Sequence, residues 1–142
     1  MNIRIEHANL AVRDVDAMIA FVRHAFPEWE VRGEGKSLLG GRWVHLGGDA
    51  TYIAFQTATR EPEEVWVPYG GRPGTNHLGF EVDDVSGLRK RLLEQGYTET
   101  TFPNDHPHRE RVYFHDPEGN DWEFVEYRTD DPTLRNDYDL PG

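Results

Sequence analysis

Two histidines, His7 and His77, open segments that can be laid over each other. His7-Ala8-Asn9-Leu10-Ala11-Val12-Arg13-Asp14-Val15 matches His77-Leu78-Gly79-Phe80-Glu81-Val82-Asp83-Asp84-Val85 at an offset of 70 residues, from position 7 to position 77, and Met18 and Val22 continue the match over Leu88 and Leu92. Imidazole is a common metal ligand. If Ala8, Leu10 and Val12 pack inward from a strand, His7 and Asn9 face the other way, and so do His77, Gly79 and Glu81 in the second copy. Pseudo-twofold symmetry between the copies could bring both imidazoles into one cleft. Alternation in Asp121–Tyr127 separates an aromatic face (Trp122, Phe124, with Glu126) from one carrying Glu123, Val125 and Tyr127, so Glu123 becomes the third candidate ligand. Two imidazoles and one carboxylate, with coordination positions left open, suit Fe(II) and also serve Mn(II). The matching strand of the first half offers Ile53 or Ala54 at that place, and neither binds metal.

The elements that must position these residues follow from the same duplication. Asp14 can cap a helix whose apolar stripe is Val15, Met18, Ile19, Val22 and Phe26; Asp84 can cap a second with Val85, Leu88 and Leu92, ended by Gly96. Three strands are predicted after each helix, near 29–32, 42–46 and 51–57, then near 98–102, 111–115 and 121–127. Turn residues, Gly47-Gly48-Asp49 and Asp116-Pro117-Glu118-Gly119, separate them. Each half therefore reads strand–helix–strand–strand–strand. A single domain over residues 1–129 is expected, with modules at about 3–58 and 75–128, a Pro- and Gly-rich connection at 59–74, and a polar tail without periodicity at 130–142. Trp66 and Tyr69 of the connection are candidates to line or cover the cleft.

Composition removes several alternatives. With 26 Asp and Glu against 15 Lys and Arg the formal charge is −11, which repels nucleic-acid backbones and anionic membrane surfaces. The absence of cysteine excludes disulfides, thiolate metal sites and cysteine nucleophiles. The first residues have no apolar signal core and no run approaches membrane-spanning length, so a soluble, cytoplasmic protein is expected.

Paired modules that each open on a histidine, together with Tyr113-Phe114-His115-Asp116-Pro117-Glu118-Gly119-Asn120-Asp121-Trp122-Glu123, resemble the vicinal-oxygen-chelate superfamily. That family includes glyoxalases, extradiol ring-cleavage dioxygenases and fosfomycin-resistance thiol transferases. The resemblance covers nearly all of the chain before the tail. It implies an α+β fold of two βαβββ modules forming curved sheets around a metal cleft, with a divalent ion acting as a Lewis acid on two vicinal substrate oxygens.

Glyoxalase-type lyases usually carry a ligand in both last strands, and the first is missing here. The transferases have a threonine where Asn9 stands, and a lysine in the loop that here runs from Phe102 to Glu110 without one. Asn104, His106, Val112, Tyr113, Asp116, Pro117, Gly119 and Glu123 match the extradiol signature instead. By analogy, His106 would hydrogen-bond a substrate oxygen or dioxygen, and Tyr113 would orient a catecholate. His45, in the matching strand of the first half, faces the cleft if Trp43 does and could serve as an acid–base group. Arg109 and Arg111 are candidates to meet an anionic substrate. The expected activity is thus an extradiol-type dioxygenase acting on a small molecule. The alternatives are a fosfomycin-type thiol transferase, a glyoxalase-type lyase, or a drug- or metabolite-binding protein without chemistry. A homodimer is expected, with the halves closing within a chain or exchanging across it.

Overall fold

The computed structural model describes residues 1–103 and 105–140. It divides into two compact units, Met1–Val65 and Trp66–Gly142. The first holds β1 (His7–Val12), α1 (Val15–Ala25), β2 (Glu30–Lys36), β3 (Arg42–Gly47) and β4 (Tyr52–Thr57). Its sheet has the order β1-β4-β3-β2. Only β1 and β4 run parallel, as the intervening helix and strands require. Asp14 caps α1 by accepting from Ala17 N at 2.9 Å, which satisfies one of the amides a helix start leaves unpaired. The helix buries Val15, Met18, Phe21, Val22 and Ala25, and the sheet meets it with Val12, Val44, Leu46, Ile53 and Phe55. Burial of β1 alternates residue by residue, with His7, Asn9 and Ala11 exposed.

The second unit repeats the plan with β5 (His77–Glu81), α2 (Val85–Glu94), β6 (Arg109–His115) and β7 (Asp121–Tyr127), in the order β5-β7-β6. Asp84 caps α2 through Gly87 N at 2.8 Å. Gly96, at φ 80°, lets Tyr97 N reach back to Leu92 O at 3.1 Å and ends the helix. Val85, Leu88 and Leu92 pack against Val112, Phe114, Trp122 and Phe124. Phe80 stacks on Trp122 with centroids 5.1 Å apart.

Two expectations need correction. The strand predicted near 98–102 is reduced to an isolated bridge between Glu99 and Phe114. Thr100 N and His115 N each find one carbonyl across that gap, but Pro103 has no N–H to carry a ladder further. The tail, expected to lack regular structure, contains α3 (Pro132–Arg135), with Asp131 capping it and Pro132 in its first turn. Asn104, part of the signature match, and the last two residues of the tail, Pro141 and Gly142, lie outside the described residues. No helix among the described residues is long and apolar enough to cross a membrane.

Candidate functional site

In the first unit the face turned away from α1 carries His7. The parallel register sets Tyr52 beside it, and the two rings stack at 4.6 Å with planes 15° apart. His45, one strand further on, lies 4.8 Å from Tyr52 and 4.9 Å from Trp43. The Arg32 guanidinium sits 4.4 Å over the Tyr52 ring. Trp43 lies flat on β2 because Gly33 and Gly35 stand beneath it; a Cβ on Gly35 would come within 2.9 Å of the indole nitrogen. His7 Nδ1 is 3.1 Å from Glu6 Oε2. Burial, and after it the nearby His7 and Arg32 charges, lower the pKa of His45, so its imidazole is neutral at pH 7.

In the second unit the corresponding face brings His77 and Glu123 together, with Nε2 and Oε2 3.0 Å apart and Glu123 15% exposed. The register explains the pairing: His77 lies opposite Asp121 and Gly79 opposite Glu123. Gly79 has no side chain between them, and a Cβ there would stand 3.5 Å from Glu123 Oε2. The same register in the first unit sets Asn9 opposite Ala54, so Ala54 is the counterpart of Glu123. Glu126 faces α2, where its carboxylate accepts from Val85 N at 2.8 Å.

Three groups converge on this pair. Tyr113 meets His77 edge-on at 5.8 Å, and its hydroxyl hydrogen-bonds Glu123. Burial first, then that bond and the carboxylate charge, push the Tyr113 phenol well above its ordinary pKa, so it keeps its proton. Arg111 Nη1 lies 3.9 Å from Glu123 Oε1. Tyr69, from the connection, places its hydroxyl 2.6 Å from His77 Nδ1. Its pKa is raised by burial, then by Asp121 and Glu123. The sequence offered Tyr69 as a residue to line or cover the cleft, but spacing and alternation gave no signal for this particular contact, because the connection has neither periodicity nor a counterpart in the repeat.

A divalent ion can be tested against these donors. A ring nitrogen and a carboxylate oxygen 3.0 Å apart need a proton or a cation between them, and the second ring nitrogen already has a hydrogen-bond partner, as ligating histidines almost always do. The donor chemistry therefore fits. Of the three sequence-predicted ligands, the structure brings His77 and Glu123 together, while His7 belongs to the first unit. Among the described residues, no three His, Asp or Glu side chains form one group.

The remaining candidates have other surroundings. His106 is only 2% exposed. Its Nε2 donates to Asp137 O at 3.0 Å and its Nδ1 accepts from His108 N at 3.2 Å, so both nitrogens are engaged with backbone. The tail makes further contacts. Arg135 pairs with Glu81 at 2.7 Å and lies 3.9 Å over Tyr127, and Tyr138 lies beneath Arg109 at 5.6 Å.

Comparison with known proteins agrees with this architecture. The sequence profile described as Glyoxalase/Bleomycin resistance protein/Dioxygenase superfamily matches residues 4–124. The chain is similar to "Glyoxylase I 4" of Arabidopsis thaliana, 22% identical over 117 residues, which are 81% of this chain and 66% of that protein's length. It is similar in fold to a glyoxylase/bleomycin resistance protein/dioxygenase domain from Frankia sp. EAN1pec, at TM-score 0.75 and 20% identity over 95% of this chain and 98% of the other. A further likeness is to the fosfomycin resistance protein FosX from Listeria monocytogenes complexed with Mn(II) and sulfate, at TM-score 0.64 and 16% identity over 89% and 93%.

Proposed function

The chain belongs to the Glyoxalase/Bleomycin resistance protein/Dioxygenase superfamily, and from that premise we propose that it is a metal-dependent enzyme acting on a small molecule with two neighbouring oxygens. His77 and Glu123, which lie side by side, would hold the divalent ion, Fe(II) or Mn(II), with His7 as the third ligand proposed from the sequence. The observation that carries this reading is the convergence of His77 Nε2 and Glu123 Oε2 at 3.0 Å, supported by the Mn(II) in the FosX relative. When bound, the ion stabilises negative charge on the substrate oxygens as a Lewis acid.

The chain's own residues supply the rest. The protonated Tyr113 donates to Glu123 and fixes the orientation of the carboxylate. Neutral His45, on the same face of its sheet as His7, is the proposed acid–base group. His106 has no nitrogen to offer while the tail is docked on it. That favours chemistry independent of His106, a lyase or thiol transferase of the glyoxalase or fosfomycin type. The extradiol-type dioxygenase reading rests on the two-histidine, one-carboxylate set with Tyr113, and it requires the tail to release His106. The protein is expected to act as a homodimer in the cytoplasm, and light scattering checks the dimer.

The test has two arms. Metal content of the wild type and of the His7→Ala, His77→Ala and Glu123→Ala variants is measured by mass spectrometry; full occupancy in His77→Ala would sink the ligand assignment. The protein is then assayed with Mn(II), thiols and epoxides or hemithioacetals, and anaerobically reconstituted with Fe(II) before oxygen and catechols are added. Turnover in the first assay supports the proposed chemistry. Ring cleavage in the second transfers the assignment to the dioxygenase. Tight drug or metabolite binding without metal identifies a binding protein.

A further inference from the structure

We propose that Tyr69 is a positioning residue for His77, its hydroxyl donating to Nδ1 when Nε2 carries the proton and accepting from Nδ1 when Nε2 binds metal. This rests on the assignment of His77 as a ligand. The hydroxyl lies 2.6 Å from Nδ1, and Nε2 lies 3.0 Å from Glu123. A carboxylate only accepts, so in the metal-free protein Nε2 carries a proton, and in the neutral form of the ring that leaves Nδ1 as an acceptor for Tyr69. A metal on Nε2 requires the other tautomer, with the proton on Nδ1. A backbone carbonyl or carboxylate at Nδ1, the common arrangement at metal sites, could serve only that second form. A phenol hydroxyl serves both by rotating.

The connection is built to deliver this one group. Tyr69 is the one non-glycine residue with a positive φ, 60°, among the described residues. Glycine adopts that conformation freely and a bulky aromatic does not, and Gly70 and Gly71 follow directly. Packing does not explain the placement, since Tyr69 is half exposed. Hydrogen bonds hold it: Tyr69 N donates to Asn76 Oδ1 at 2.9 Å, beside His77 itself, and Gly70 N to Val67 O at 3.1 Å. Trp66 Nε1 donates to Thr75 O at 3.1 Å. Its ring covers Gly74, where a Cβ would stand 2.3 Å from it. The loop closes on itself next to the ligand whose ring it addresses.

The test uses the full chain, 15N-labelled at histidine, and Tyr69→Phe, which keeps the ring and removes the hydroxyl. Without metal, both proteins are expected to show the Nε2–H tautomer of His77, with the Nδ1 resonance displaced in the variant because its donor is gone. Titration with Zn(II) alone should convert wild-type His77 to the Nδ1–H form. Tyr69→Phe should bind Zn(II) about 10-fold more weakly or worse, with its thermal midpoint unchanged. An identical Nδ1 resonance in the two metal-free proteins, or an equal Zn(II) affinity, overturns the proposal. If the wild type takes up no Zn(II), the ligand assignment falls by itself, and the metal-free Nδ1 resonance still decides whether Tyr69 sets the ring.

Discussion

Replacing Asp116 by asparagine removes one charge and keeps the shape, yet its cost should be large and traceable to a single partner. Asp116 is 5% exposed. Its Oδ1 accepts from Glu118 N at 2.8 Å and Asn120 N at 2.9 Å, and its Oδ2 accepts from Asn120 Nδ2 at 2.8 Å and Trp122 Nε1 at 3.0 Å. In Asp116→Asn the remaining oxygen can keep the two backbone amides. Asn120 can turn its own amide to match the new NH₂ group. Trp122 cannot adapt, because an indole nitrogen only donates and the ring is fully buried. The variant thus loses a hydrogen bond to a charged group, about 1.5–3 kcal/mol, and strands a buried N–H at about 1–3 kcal/mol more, together roughly 3–5 kcal/mol. For a chain of this size that lowers Tm by on the order of 10–20 °C. Urea unfolding followed by circular dichroism gives the stability directly. In a Trp122→Phe background the stranded donor no longer exists, so the same substitution should cost about 2 kcal/mol less. A coupling below about 0.5 kcal/mol would refute the reasoning, because residues in one hydrogen-bond network should couple by more than that.

His106→Ala removes two hydrogen bonds from a buried ring and should cost about 1–3 kcal/mol. The freed tail should then be cut faster by trypsin after Arg135. A turnover loss of about 100-fold or more, with tail protection unchanged, would show instead that His106 acts on substrate. His45 has a folded-state pKa below its ordinary 6.5. Its contribution to stability is therefore complete above pH 6.5 and lost as pH falls through the folded value. His45→Gln should flatten that part of the stability profile between pH 8 and 5; an unchanged slope excludes His45 as its source. Glu123→Gln should reduce metal affinity while leaving the thermal midpoint of the metal-free protein within a few degrees, as differential scanning calorimetry would read it.

Much of the fold was legible because it rests on short-range rules. Alternation separated the two faces of β1, β5 and β7, and the full burial of Trp122 and Phe124 on either side of the partly exposed Glu123 follows it. Asp14 and Asp84 cap the helices where a short acceptor precedes an apolar stripe. The helix stripe itself was misread at one point: Phe21, not Ile19, is fully buried on α1, since a helix face a hundred degrees wide admits either. The missing strand near 98–102 and the added α3 are both matters of length. One proline is enough to stop a ladder, and four helical residues are too few to leave a period.

The candidate site was legible where duplication or strand alternation pointed to it. His7 and His77 declare each other by their offset, and the unmatched pair Ala54 and Glu123 shows that the copies have diverged in the last strand. Groups in unduplicated segments left no such trace. Tyr69 sits in the connection and Asp137 in the tail, yet the first addresses His77 and the second occupies His106. Spacing identifies residue types, whereas reactivity depends on which nitrogen is already bonded. His106 matches a catalytic signature by position and has neither nitrogen to spare. His77 has one nitrogen held by a hydroxyl that can reverse its role, and the other aimed at a carboxylate. Chemistry in a duplicated fold of this kind is therefore set by the segments that were not copied, and variants that discriminate between candidate reactions belong in the connection and the tail.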